Sequence, residues 1–152
     1  MPISSSIEIP APPDAVWGAI GDLNTYSQWM TVHVDFPDGV PEELKPGVSY
    51  REKVKVMGMP GEVKWTVADL QPERRIELEG EGPMGTTMRA VFEVTPAGEG
   101  TQVAYESEFS GAALAPMQAA IEKEAAKQGD ESLEKLRGVV TGEGAAAQPG
   151  SS

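Results

Sequence analysis

The sequence predicts an α+β protein in which a curved antiparallel sheet of about six to seven strands wraps around a long C-terminal helix. Three observations carry this. Between residues 48 and 109, five consecutive segments alternate apolar and polar side chains with a period of two, separated by short turns. A stretch of helical period follows from about residue 116 to about residue 140. The whole chain is 152 residues long with 39% hydrophobic and 24% charged side chains, enough for one core and not for two.

The opening segment alternates at Ile3, Ser5, Ile7 and Ile9 and reads as a strand. Pro12 and Pro13 end it, and proline suits the first turn of the short helix that carries Val16, Trp17 and Ile20 to about Gly21. Asn24 stands where a cap would start a second short helix with Tyr26, Trp29 and Met30. The Trp17 and Trp29 indoles are expected to plug one end of the core. A short strand at residues 32 to 36 and a Pro/Gly-rich loop at residues 37 to 47 lead into the meander.

In the meander Val48, Tyr50, Glu52, Val54 and Val56 share one face, and Ser49, Arg51, Lys53 and Lys55 the other. Val63, Trp65 and Val67 continue the apolar face, followed by Ile76, Leu78 and Gly80, then Met88, Ala90, Phe92 and Val94, then Val103, Tyr105, Ser107 and Phe109. With one face apolar and the other charged, the sheet is covered on one side and wet on the other. The cover is the last helix, placed to begin near Pro116, with Met117, Ile121, Ala125, Gln128, Ser132, Leu136 and Val140 along one stripe. Gly129 and Asp130 are expected to kink or restart it. Residues 1–140 thus form the domain, and 141–152, rich in Gly, Ala, Ser and Pro, a disordered tail.

Composition excludes several classes of function. The absence of cysteine removes disulfides, thiolate nucleophiles and Cys-ligated zinc, and suits a reducing, cytoplasmic setting. The early strand pattern and Glu8 do not fit a signal peptide, and no apolar run reaches membrane-spanning length. A net charge of −12 without basic clusters argues against nucleic acid, and its simplest meaning is solubility. His33 is the single histidine, with no second ligand at metal-site spacing, so neither a metal nor a cofactor is implied. The GEGPMG stretch at residues 80–85 lacks the lysine and strand-to-helix context of a phosphate loop and reads as a hairpin turn.

A curved sheet around one helix leaves a cleft where side chains are small, and Gly80 and Ala90 are small inward positions. Such clefts commonly measure roughly 300–1,000 Å³ and take small molecules. The polar exceptions on the apolar faces are Tyr50, Glu52, Tyr105, Ser107, Gln128 and Ser132. Glu52 either finds a donor, a mouth or a raised pKa inside the cleft, or sits at a bulge in water. Tyr50 and Tyr105 are either ligand contacts or core tyrosines with rim hydroxyls. Among the methionines at 57, 59, 84, 88 and 117, Met88 and Met117 point inward. The resulting ligand-binding candidates are Trp29, His33, Tyr50, Glu52, Trp65, Met88, Tyr105, Ser107, Phe109, Met117, Ile121 and Gln128. Glu52 and His33 are the two candidates for moving protons in a reaction.

The segments PAPPDAVWGAIGDLNTYSQWM and VKVMGMPGEVKWTV, followed by the strand meander and terminal helix, resemble the START-like superfamily of polyketide cyclases/dehydrases and lipid transport proteins over about residues 1 to 140. That resemblance implies a helix-grip fold with an internal cavity. More narrowly, WMTVH together with KVMGMPGEVKWTV is similar to an actinobacterial subgroup whose described member is the toxin of a type II toxin–antitoxin pair. The matching residues are Trp29, His33, Lys55, Gly58, Met59, Pro60, Lys64, Trp65 and Thr66, and the subgroup implies a small antitoxin protein as partner. Aromatase/cyclase relatives steer a polyketide with a polar, often arginine-containing pocket, whereas Arg51, Arg75 and Arg89 fall on the outward register here. Three functions follow in order: binding of a lipid-like or aromatic polyketide-like small molecule, a toxin acting through a surface, and a cyclase or dehydratase.

Overall fold

The computed structural model describes residues 3–56 and 58–142. The chain runs through β1 (Ile3–Ile9), α1 (Pro13–Ile20), a single 3-10 turn (Leu23–Thr25), α2 (Tyr26–Trp29), β2 (His33–Asp35), β3 (Ser49–Val56), β4 (Met59–Gln71), β5 (Arg75–Glu81), β6 (Thr87–Ala97), β7 (Gly100–Ser110) and α3 (Gln118–Thr141). The seven strands form one antiparallel sheet in the order β1-β7-β6-β5-β4-β3-β2. From β3 to β7, neighbours in sequence are neighbours in the sheet, as short turns require. β1 instead pairs with β7, Ile3 opposite Ser107 and Ile9 opposite Thr101. The segment carrying α1 and α2 therefore crosses from one edge of the curled sheet to the other. This is the α+β helix-grip architecture expected from the alternation.

The two faces divide as the period of two requires: Tyr50 and Glu52 are buried while Ser49, Arg51 and Lys53 between them are exposed. On the outer face Arg51 pairs with Asp38 and Glu62, and Arg75 and Arg89 share Glu77 with further links to Asp69, Glu93 and Glu106. The Arg89 and Arg75 guanidinium groups hold the Glu77 carboxyl below the usual carboxylate range. All three arginines are thereby engaged in ion pairs.

α3 packs against β1, β7, α1 and α2. Its stripe changes character along its length. Leu133 and Leu136, in its second half, join Val16, Ile20, Leu23, Trp29, Phe92, Val94 and Val103 in a dense core. Ala125, Gln128 and Gly129, in its first half, and Ser132 just before Leu133 are too small or polar to fill the same gap. The core therefore sits at the α1/α2 end and leaves space at the other.

Four local expectations are corrected. Asn24 does not cap α2: Asp22 caps the 3-10 turn, its side chain accepting from the Asn24 amide, and Thr25 stands at the N-cap of α2. Pro116 lies inside a 3-10 segment, Ala112–Met117, so α3 begins at Gln118 and Met117 falls off the buried stripe. α3 runs unbroken through Gly129, which lets the helix approach β1: a Cβ there would stand 2.9 Å from Ser5 Oγ and 3.5 Å from the Tyr105 ring. Thr141 still belongs to α3, Gly142 closes it in the left-handed region at φ 80°, and the rest of the expected tail lies outside the described residues.

Candidate functional site

The space left by the short side chains of α3 is a cleft bounded by the inner faces of β3 to β7, by α3, and by Tyr26 and residues 30 to 32 after α2. It has a volume of about 100 Å³, within about 870 Å³ of unfilled space when its mouth is counted. It is thus a narrow slot, tighter than the roughly 300–1,000 Å³ of an ordinary small-molecule pocket. Val54, Val56, Val63, Leu78, Met88, Ala90, Phe92 and Phe109 give it mainly apolar walls.

Glu52 is the carboxyl side chain in that wall and is only 4% exposed. Two donors hold it. Oε1 accepts from Trp65 Nε1 at 2.9 Å, and Oε2 lies 2.7 Å from His33 Nδ1, which carries the proton when the carboxylate is ionised. The arrangement follows from strand order: His33 on β2 sits opposite Val54, two residues along the face from Glu52, and Trp65 on β4 sits opposite Tyr50. Phe36 lies tilted beside the imidazole at 4.4 Å and Tyr26 meets it edge-on at 6.0 Å. Of the two readings of Glu52, the inward one with a donor is realised.

The three tyrosines surround this carboxylate. Burial first, and then Tyr50, Glu52 and Tyr105, push the Tyr26 hydroxyl well above its ordinary value. Burial and then Glu52 do the same to Tyr50. Tyr105, stacked on Phe92 at 4.4 Å, is pushed up to about 12 by burial and Glu52, against the opposing effect of a hydrogen bond from Ser107. At the helix side, Thr31 donates its hydroxyl to the Gln128 carbonyl at 3.3 Å and its amide to Ser132 Oγ at 3.1 Å, tying the strand side of the cleft to α3.

Of the residues singled out from sequence, Tyr50, Glu52, Trp65, Met88, Tyr105, Ser107, Phe109 and Gln128 line the cleft. Four do not. Trp29 stands behind the wall, edge-on to Tyr26 and Phe92, with its indole nitrogen donating to Thr25. His33 touches the cleft only through Glu52. Met117 is 37% exposed, a consequence of the later helix start, and Ile121 is buried outside the lining. Met57 lies outside the described residues. Sequence reasoning missed Tyr26 and Thr31 as wall residues, because their places depend on how α2 docks on α3.

Gly80 also differs from its expected role. Opposite Trp65 in register, it does not open the cavity: a Cβ there would lie 2.8 Å from Trp65 Cζ3 and from Val63 Cγ1. The glycine admits the indole that holds Glu52. Gly80→Leu is expected to destabilise the protein by about 3 kcal/mol, the upper part of the overpacking range. Urea unfolding measures this, and a shifted tryptophan emission in the folded fraction would report the displaced ring.

The sequence profile described as polyketide cyclase / dehydrase and lipid transport matches residues 2–141. The chain belongs to that family. A relative named Toxin Rv0910, from Mycobacterium tuberculosis, is 33% identical over 112 residues, covering 74% of this chain and 78% of that one. Among solved structures, TTHA0849 from Thermus thermophilus superposes with a TM-score of 0.71 at 17% identity, covering 94% of this chain and 99% of the other. A conserved protein from Geobacillus kaustophilus gives a TM-score of 0.70 at 20% identity over 93% and 95% of the two chains. At these identities the two structures speak for the fold alone. Within the polyketide cyclase / dehydrase and lipid transport family, this chain is one whose cleft carries a doubly hydrogen-bonded glutamate. No helix among its described residues is long and apolar enough to cross a membrane.

Proposed function

We propose that this protein binds a hydrophobic small molecule in the cleft between α3 and the sheet. The observation that supports this is the split along α3, with leucines at the core end and Ala125, Gln128, Gly129 and Ser132 facing an apolar slot. Filling that half with leucines would add stability, so leaving it open has a cost that ligand binding explains. The slot is narrow, and entry of a larger molecule widens it at the half of α3 that lacks leucine anchors.

Mass spectrometry of a solvent extract tests this, using protein purified without detergent beside an Ala90→Trp variant. Ala90 lines the slot between Leu78 and Ser107, so the indole would occupy it. One lipophilic species at near-equal stoichiometry, missing from the folded variant, is the expected result. The same species in both proteins, or a lipophilic probe that no competitor displaces, would count against a ligand in the cleft.

A second reading, the toxin of a type II pair with a small antitoxin partner, is favoured by the 33% identity to a relative named as a toxin. Growth arrest on overexpression, relieved by a co-purifying product of an adjacent small reading frame, would support it. A cyclase or dehydratase would need Glu52 or His33 to move protons. Both oxygens of Glu52 are engaged, one of them by His33, which places the weight on binding.

A further inference from the structure

Among the described residues, the phenol oxygen of Tyr50 is the buried side-chain nitrogen or oxygen that has no hydrogen-bond partner. Its polar neighbours in the cleft wall are occupied. Glu52 is held by His33 and Trp65, Ser132 by Thr31, Tyr105 by Ser107, and Gln128 Nε2 donates to Glu124 at 2.6 Å. Tyr50 is 7% exposed, its phenol oxygen is buried, and Phe36 meets its ring edge-on at 5.9 Å. A buried hydroxyl in this state is destabilising where phenylalanine, of nearly the same shape, would not be. Such a group is explained when something else supplies the partner.

The chemistry of that partner follows from two features of the wall. The phenol is neutral at physiological pH, because burial and the nearby carboxylate both oppose its ionisation, so its unmet need is an acceptor for its proton. The acceptor cannot carry a full negative charge at low cost. Glu52, two residues along the same strand face, already places a buried carboxylate in the slot, and like charges in a medium of low dielectric repel strongly. The remaining walls are mainly apolar, and Arg89, the cation among the lining residues, is already paired with Glu77 and Glu106.

We infer that the Tyr50 hydroxyl is the polar anchor of the cleft and donates its hydrogen bond to a carbonyl or ether oxygen of an uncharged, otherwise apolar ligand. This rests on the binding function proposed above and specifies its ligand class, setting neutral ketone-bearing or ester-bearing molecules apart from fatty-acid carboxylates.

The test is displacement of Nile red by matched probes from wild type and Tyr50→Phe. One set is fluorenone, fluorene and a fluorenone carboxylate; the other is a long-chain methyl ketone with the alkane and carboxylate of equal length. In wild type the ketones are expected to bind about 5–10-fold more tightly than the hydrocarbons, the scale of one neutral hydrogen bond, with the carboxylates weakest. In Tyr50→Phe the ketone should fall to the hydrocarbon's affinity, the hydrocarbon should be unchanged, and the unliganded protein should melt at a higher temperature. Equal binding of ketone and hydrocarbon by wild type, or carboxylates binding best, would overturn the anchor and leave the binding function standing. Failure of Nile red and every probe to bind would overturn both.

Discussion

Between pH 10 and about 12 the protein is expected to unfold in one step, with all three of its tyrosines ionising in that same step. The sequence contains three tyrosines, at 26, 50 and 105, and each has its hydroxyl shifted upward in the folded state. An unfolded chain releases a tyrosine proton near the ordinary value of 10.0, whereas the folded chain holds it to about 12 at Tyr105 and raises it at Tyr26 and Tyr50 as well. The contribution to stability is therefore complete below pH 10 and is lost as pH rises above it. Each such group removes about 1.4 kcal/mol per pH unit between its unfolded and folded values, which for three groups acting together is large against the roughly 5–15 kcal/mol of an entire domain. Tyr105 is the least enclosed of the three, so its share is the smallest.

Phenolate absorbance and far-ultraviolet circular dichroism, followed together against pH, should trace one curve steeper than a single-proton titration. Phenolate appearing gradually around pH 10 in a chain that keeps its dichroism would show that the hydroxyls are not sealed. Loss of lysine charge in the same range adds repulsion to a chain already at −12 and pushes the same way. Tyr50→Phe separates the two effects: it should make the transition shallower and move its midpoint upward, which a purely surface-charge mechanism would not do.

The parts of this fold that were legible in the sequence are those governed by short-range periodicity. Alternation at residues 48 to 56 assigned Tyr50 and Glu52 to the inside and Arg51 to the outside, because a period of two leaves no other choice once one face is apolar. The pairing of β1 with β7 was not legible, since nothing local joins Ile3 to Ser107. Glycines were the least readable. Gly80 read as room in the cavity and Gly129 as a break in the helix, yet each makes way for another side chain, Trp65 on the adjacent strand in one case and Ser5 on β1 in the other. The sequence shows that a side chain is missing; which atoms use the vacancy is a matter of packing. His33, Glu52 and Trp65 were each marked out by type, but their meeting depends on three adjacent strands and two side-chain orientations.

That meeting makes Glu52 a structural hub as well as part of the cleft wall, and Glu52→Ala is expected to destabilise the protein by about 3–5 kcal/mol. Truncation leaves two buried donors, Trp65 Nε1 and His33 Nδ1, without an acceptor, and removes packing beside Val63, its partner across β4. Each orphaned donor costs about 1–3 kcal/mol in an enclosed site. Glu52→Gln keeps the shape and one acceptor oxygen but turns an amide N–H₂ toward one of the donors, so about half the loss should remain. Urea unfolding of Glu52→Ala, Trp65→Phe and the double variant isolates the link: with Trp65 already lacking its N–H, removing the carboxylate should cost about 1–2 kcal/mol less than in wild type. Additive losses would mean that the indole bond contributes nothing to stability. The argument also bears on chemistry, because a carboxylate fixed by two donors in the resting protein stabilises the wall and repels anions there. A proton-transfer role would require one of those bonds to open when ligand enters, and Trp65 fluorescence on ligand addition would register the opening.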